Sequence, residues 1–363
     1  MKFLFKTFSV FFLLTLFVSC GNADDDVNLD LNLGGDLGKG QTVDDCLGLD
    51  EGELVLSIQE QYTTLPGKVS ILFRVSDVDG NPVSGLTADK FTIYEQGRND
   101  ECFNTISSTE SSARISPNSQ IFSNNTLLVL DLSNSVLSSS LDELKSASTS
   151  FITAVMPATP NESVKMAIYW FDGENELHLL NELTSSRTEL AASVDGITND
   201  ISNDPSTDLY GAVIKSTDIA SELVKKSTSG GKIGAASVVI FTDGTDQASR
   251  FKEEEAVKKV NDANSNISFF SIGLGGEIDT DVLKAIGKTS SVFAQNKDEL
   301  EDTFNEISEK VSERANSYYL FEYCSPKRDG SGDNNLAIEV TTGSRSGAVQ
   351  TKFNANGFTG GCE

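Results

Sequence analysis

Leu127-Leu128-Val129-Leu130-Asp131-Leu132-Ser133-Asn134-Ser135 joins a run of four apolar residues to a cluster of short oxygen-bearing side chains. Such a run reads as a strand buried on both faces, with its polar groups emerging at the C-terminal end. In an open α/β sheet that end is where ligands bind. Helical spacing resumes at Leu141, Leu144, Ala147, Phe151, Ile152 and Val155, with Ser139 or Ser140 as candidate N-cap and Asp142 and Glu143 in the first turn. The stretch is therefore a strand, an oxygen-rich turn and a helix. Phosphate-binding turns of this layout need glycines for close backbone approach, and residues 131–140 hold none. A carboxylate with two hydroxyls at alternate positions suits a small hard cation instead. The competing reading is a helix N-cap cluster, in which the serines only satisfy backbone N–H groups.

The spacing Asp131-x-Ser133-x-Ser135 resembles the metal-ion-dependent adhesion site (MIDAS) of von Willebrand factor type A domains. Two later stretches follow in the order that this resemblance requires. Thr207-Asp208-Leu209-Tyr210-Gly211-Ala212 matches the family's Thr-x-Leu-Tyr-x-Ala pattern, and Ser237-Val238-Val239-Ile240-Phe241-Thr242-Asp243-Gly244 places an Asp at the end of a second apolar run. The resemblance implies a metal site built from Asp131, Ser133, Ser135, Thr207 and Asp243, holding magnesium, with manganese or calcium as alternatives. Three neutral hydroxyls leave a divalent ion under-neutralised, while Asp131 and Asp243 hold it directly or through waters. Its open position then attracts an anionic oxygen, in the family usually a Glu or Asp side chain of a partner protein. Unlike the integrin form, the chain has Val136-Leu137-Ser138 and no acidic pair after Ser135, so no adjacent second metal site is expected. Pro205-Ser206 stands where many relatives place glycines before the Thr.

Strands and helices alternate from residue 123 to 315, with apolar strands at Val164–Phe171, Ser237–Phe241, Ile267–Ile272 and Ser291–Ala294. Alternation at this spacing predicts a doubly wound, mostly parallel α/β sheet, the Rossmann-like fold of the type A family. Outside this region the hydrophobic period is two. Residues 50–122 carry candidate strands at Leu54–Ile58, Val69–Val75 and Phe91–Tyr94, and residues 316–363 carry three more at Tyr318–Tyr323, Leu336–Val340 and Ala348–Phe353. Asp77, Asp79 and Asn81 have calcium-loop spacing, but Pro82 stands where the loop needs Gly, so a hairpin turn is expected. Val75 to Gly97 resembles the immunoglobulin-like β-modules that often precede type A domains in bacterial surface proteins. Three C-terminal strands are few for an independent sandwich. The two flanks are therefore expected to form one β-module into which the α/β domain is inserted.

Residues 1–19 carry Lys2 and Lys6 before an apolar stretch, the layout of a secretory signal, and Cys20 follows it as in bacterial lipoproteins. Lipidation of Cys20 with two or three acyl chains would anchor the chain to a membrane. Residues 20–49, rich in Asp, Gly and Asn, read as a disordered acidic tether. Cys46, Cys102, Cys324 and Cys362 then form an even set in an exported protein, which implies two disulfides. Of three connectivities we expect Cys46 with Cys362 and Cys102 with Cys324, because both bonds would tie one flank of the split module to the other.

A formal charge of -26 disfavours nucleic acid and anionic lipid as partners. The single His, His178, lies in a strand-like apolar context and reads as structural, and no CxxC pair suggests zinc. No Gly-x-Ser-x-Gly elbow is present, so no enzyme and no small-molecule substrate are expected. The expectation is a lipid-anchored cell-envelope protein, at the outer membrane or cell surface, whose α/β domain binds a protein partner through bound magnesium. The alternative is an envelope scaffold or assembly protein that binds through its β-module, with a weak or unused metal site.

Overall fold

The apolar run at residues 127–130 forms the middle of a central strand, and the chain on either side of it builds three sheets. The computed structural model describes residues 42–49, 52–107, 114–116, 122–229, 232–328 and 332–362. The signal stretch 1–19, Cys20 and the tether as far as residue 41 lie outside the described residues. Residues 42–49, expected as tether, are instead held to the fold: Asp45–Leu47 form a helical turn, Cys46 bonds Cys102, and Asp44 N–H donates to Gln350 Oε1 at 2.9 Å.

In chain order come β1 (Leu54–Thr64), β2 (Lys68–Asp77), β3 (Phe91–Gln96), β4 (Asn104–Ile106), β5 (Arg114–Ser116) and β6 (Phe122–Asp131). The helices α1 (Asn134–Ser139) and α2 (Leu141–Val155) follow, then β7 (Val164–Phe171), β8 (His178–Thr184), α3 (Arg187–Asp195), α4 (Leu209–Ser229) and β9 (Ile233–Thr242). Next are α5 (Glu253–Asp262), β10 (Ile267–Leu274), α6 (Thr280–Ile286), β11 (Ser290–Ala294) and α7 (Leu300–Asn316). The strands β12 (Tyr318–Cys324), β13 (Asp333–Thr342) and β14 (Arg345–Asn354) come last.

The six-stranded sheet has the order β11-β10-β9-β6-β7-β8, parallel throughout except for β8, which runs antiparallel to β7. Leu127 and Val129 enter one core with α4, α5 and α6, while Leu128 and Leu130 enter the other with α2, α3 and α7. All four are fully buried, which is why the run is unbroken by polar residues. Each contributes roughly 1.5–3 kcal/mol through burial. On α2 the expected stripe of Leu141, Leu144, Ala147, Phe151 and Ile152 is the buried face. The strand is therefore fixed from both sides, and so is the position of Asp131 at its end.

Two four-stranded antiparallel sheets, β1-β2-β12-β5 and β14-β13-β3-β4, interleave strands from before and after the α/β region. Leu56, Ile58, Ile71, Phe73 and Phe321 of the first share a core with Ile93, Leu336, Ile338, Val349 and Phe353 of the second. The Asp77 turn is as expected: Asp77 Oδ1 accepts from the N–H groups of Asp79 and Asn81 at 3.0 and 2.8 Å, so the carboxylate closes its own turn.

The expected cysteine pairing is corrected by the structure. Cys46 bonds Cys102, and Cys324 bonds Cys362, with Cα separations of 5.8 and 5.5 Å. Strand pairing supplies the reason. The flanks are joined by β2 against β12 and β3 against β13, while the C-terminal tail returns to the β1–β2 turn. There Thr359 N–H donates to Pro66 O and Ser325 N–H to Gly67 O, each at 2.9 Å, which brings Cys362 to the end of β12. Each disulfide thus closes a loop within one flank, and each is expected to stabilise the fold by roughly 2–5 kcal/mol. Non-reducing peptide mapping should yield a Cys46–Cys102 peptide and a Cys324–Cys362 peptide; any peptide linking Cys46 to Cys362 would overturn this pairing.

Candidate metal centre

Because β6 and β9 are parallel neighbours in register, with Leu130 opposite Phe241, their ends deliver Asp131 and Asp243 to one place. Asp131 is fully buried. Its Oδ1 accepts from Ser133 N–H at 2.9 Å, and its Oδ2 accepts from the Thr242 hydroxyl at 2.6 Å. Ser133 Oγ lies 3.2 Å from Ser135 Oγ, and Ser135 Oγ donates to Asp243 Oδ1 at 2.8 Å. Asp131, Ser133, Ser135 and Asp243 are therefore joined by hydrogen bonds, one of which, from Ser135 to Asp243, links residues 108 positions apart. Ser135 is exposed, so the cluster opens to solvent on that side.

The N-cap reading of the serines does not describe this geometry. Ser133 is the cap residue of α1 and Ser140 that of α2, yet neither hydroxyl makes a capping bond. The oxygens of Ser133 and Ser135 point instead to each other and to Asp243.

Thr207 is buried in the loop before α4. That loop is stapled on both sides: Asn134 N–H donates to Pro205 O at 3.3 Å, and the N–H groups of Gln247 and Ala248 donate to Thr207 O at 2.9 and 3.1 Å. Thr207 is thus held between the 131–135 turn and the segment after Asp243, with its side chain in no hydrogen bond to the other four. Behind it, buried Asp208 pairs with Lys215 at 3.0 Å, and Gly211 faces the same carboxylate so closely that a Cβ would lie 2.1 Å from Asp208 Oδ2. The glycine in the Leu-Tyr-Gly-Ala stretch is required by that approach.

Two residues of this neighbourhood were missed by sequence reasoning. Thr242 orients Asp131, and its signal was a hydroxyl at the last position of a buried strand. Asp172 follows β7 in Phe171-Asp172-Gly173, the same strand-then-Asp pattern as at Asp243. Its backbone carbonyl accepts from Asp208 N–H at 2.8 Å, and its Oδ2 accepts from Ser202 Oγ at 2.7 Å and from the N–H groups of Asn203 and Asp204 at 3.3 Å. The carboxylate therefore clamps the loop that carries Thr207.

Burial pushes Asp131 up to about 7, and the nearby Asp243 charge adds to the rise, against the opposing hydrogen bonds from Thr242 and Ser133. Asp243 is also raised, by burial and by the charge of Glu277. Two carboxylates with raised affinity for protons, beside three hydroxyl groups and without a basic partner of their own, fit a divalent cation. An Asp that titrates near 3.8 unfolded and about 7 folded takes up protons on folding between those values. The metal-free protein thus loses stability as pH rises from about 4 to 7. Magnesium has to displace that proton, so its apparent affinity is expected to fall about tenfold per pH unit below 7. Melting curves in magnesium and in chelator should diverge from pH 5 to pH 8; a constant gap would contradict the assignment.

The sequence model of the von Willebrand factor type A domain matches residues 125–309. The chain belongs to the von Willebrand factor type A domain family. The matched residues contain β6 through most of α7, and with them all five oxygen ligands of the expected MIDAS. No curated protein matches the chain. Among solved structures, the type A fold is similar to the conserved hypothetical protein BatB from Bacteroides thetaiotaomicron, 16% identical over 53% of this chain and 98% of that one, with a TM-score of 0.41. It is similar also to the vWF domain of the type V pili tip protein Mfa5 from Porphyromonas gingivalis, 13% identical over 53% of this chain and 95% of that one, with a TM-score of 0.40. Proximal thread matrix protein 1 from the mussel byssus, with a zinc-occupied MIDAS motif, is 12% identical over 53% of this chain, with a TM-score of 0.41. This chain spans only 48% of that protein.

Proposed function

We propose that the type A domain binds a protein partner through a divalent cation, magnesium first, held by Asp131, Ser133, Ser135, Thr207 and Asp243. The observation that carries this reading is buried Asp131, with no positive charge beside it among the described residues, hydrogen-bonded into one cluster with Ser133, Ser135 and Asp243 at the C-terminal ends of the central strands β6 and β9. A divalent ion bound there supplies positive charge with an open position for an anionic oxygen. The residues of the chain do the rest. Thr242 and Ser133 hold the Asp131 carboxylate in one orientation, Ser135 ties Asp243 to the same turn, and the Thr207 loop is fixed by Pro205 and Asp172. A rigid shell of this kind selects a Glu or Asp carboxylate of the partner with little reorganisation on binding.

The N-terminal signal and Cys20 support a lipid anchor in the cell envelope, at the outer membrane or cell surface, with the acidic segment as a tether. The role is binding without catalysis. Immobilised protein should retain a partner from cell-envelope extract in magnesium and release it in chelator. Retention that is equal in both would overturn the metal-dependent reading. Cys20→Ala should move the protein from the membrane to the soluble fraction.

Two substitutions check the ligand set. Thr207→Ala removes one hydroxyl and little volume, so magnesium affinity is expected to fall roughly tenfold, about 1.4 kcal/mol, with the melting temperature in chelator unchanged. Calorimetry with unchanged affinity would remove Thr207 from the site. Ser133→Ala combined with Ser135→Ala should lose more, because it also breaks the bond that draws Asp243 in. Metal-dependent capture surviving in that double variant would sink the Asp-x-Ser-x-Ser assignment.

A further inference from the structure

The hairpin between β7 and β8 gathers metal-ligating groups of a different kind. Trp170 and His178 are partners across the two strands, and their rings stack with centroids 4.0 Å apart and planes 13° from parallel. That stacking fixes the plane of the imidazole, and Nε2 points at the hairpin's own carboxylates, 3.3 Å from Glu174 Oε2 and 4.0 Å from Asp172 Oδ1. Nε2 is shielded from water and makes no aligned hydrogen bond. One ligand atom from each of Asp172, Glu174 and His178 lies within 4.8 Å of the others. The cluster combines a shielded imidazole nitrogen that makes no aligned hydrogen bond with two acids beside it.

We propose that Asp172, Glu174 and His178 form a second metal site, selective for a zinc-class transition ion. The donor set decides the class. An imidazole with two carboxylates suits zinc and its neighbours, whereas magnesium takes oxygen and dehydrates reluctantly. Zinc bonds of about 2.0–2.2 Å in a tetrahedron put ligand atoms about 3.4 Å apart. The Glu174–His178 edge, at 3.3 Å, already has that length, and the Asp172–His178 edge, at 4.0 Å, closes by a small slide of the imidazole in its own plane, which the stack on Trp170 permits while Asp172 stays held. Glu174 is the adjustable member, with its side chain 38% exposed on the hairpin turn. Asp172 is the fixed one: Glu174 N–H donates to its Oδ1 at 2.8 Å, and Ser202, Asn203 and Asp204 hold its Oδ2. These are the outer-shell contacts that orient a metal ligand. The MIDAS offers oxygen donors alone, so magnesium is expected there and not in the hairpin, where the imidazole favours zinc. The two sites also share a loop, because Asp172 clamps the segment that carries Thr207, and zinc in the hairpin would stiffen that segment.

His178 is the only histidine of the chain, which gives the test a direct reporter. Untagged full-length protein labelled with 13C and 15N in histidine shows one imidazole. Equimolar zinc should replace its signals with a new set, while excess magnesium should leave them in place. Glu174→Gln should raise the zinc concentration needed by roughly tenfold or more, with the melting temperature in chelator unchanged. Imidazole signals that stay put in zinc would overturn the site and leave His178 as an ion-pair partner of the two acids. A Glu174→Gln protein that titrates like wild type would remove Glu174 and, with it, the three-ligand site.

Discussion

Asp131→Asn is expected to abolish magnesium-induced stabilisation and, at neutral pH, to raise the melting temperature of the metal-free protein. Both effects arise from one buried carboxylate. Asp131 has no exposure, and its acidity is weakened to about 7 chiefly by that burial. Near neutrality the folded chain either carries a buried charge or holds a proton that the unfolded chain would release, and each state costs stability. Asn removes the charge and keeps the shape. Its oxygen still accepts from Ser133 N–H, and Thr242 Oγ1, freed from Asp131 Oδ2, still reaches Gly244 O at 3.2 Å. With magnesium at a hundred times its dissociation constant, wild type gains about 2.7 kcal/mol. That is a shift of roughly 5–10 °C, which the variant should lack altogether. An Asp131→Asn protein that gained the same shift would place the metal elsewhere.

Asp243→Asn separates a working site from a strand-end turn. In the first case magnesium affinity and partner capture fall together, by an estimated tenfold to hundredfold, or about 1.4–2.8 kcal/mol. The metal-free protein is then as stable as wild type or slightly more so, because the repulsion with Asp131 is relieved and Ser135 can still donate to the amide oxygen. In the second case the side chain only precedes Gly244, and metal dependence is untouched. Melts of both proteins in chelator and in magnesium distinguish the two. Equal magnesium-induced shifts would contradict a metal role for Asp243.

Those parts of the fold that depend on local periodicity could be read from the sequence. Leu127 to Leu130 announced a doubly buried strand, and the alternation after it announced the parallel sheet, because burial on both faces leaves no room for polar residues. The edges were harder. β4 and β5 have three residues each, too few to show a period, and β8 is an antiparallel edge strand with mixed exposure. Within the site, Asp131, Ser133, Ser135 and Asp243 were legible because each follows a buried strand at short range. Their mutual hydrogen bonds were not, since these depend on the β6–β9 register. The cysteine pairing failed for the same reason: pairing of β2 with β12 and β3 with β13 makes inter-flank disulfides unnecessary, and only the tertiary path of the tail brings Cys362 to Cys324. His178 reads as structural from its apolar context, and its approach to Asp172 and Glu174 depends on a hairpin that the sequence did not delimit.

One divalent ion is expected among Asp131, Ser133, Ser135 and Asp243 at the ends of β6 and β9 and Thr207 of the loop before α4. Crystals grown with manganese and measured near its absorption edge test this directly. An anomalous difference peak is expected within bonding reach of Ser133 and Ser135, bounded by Asp131, Thr207 and Asp243. Crystals saturated with manganese that show no peak at that position would contradict it.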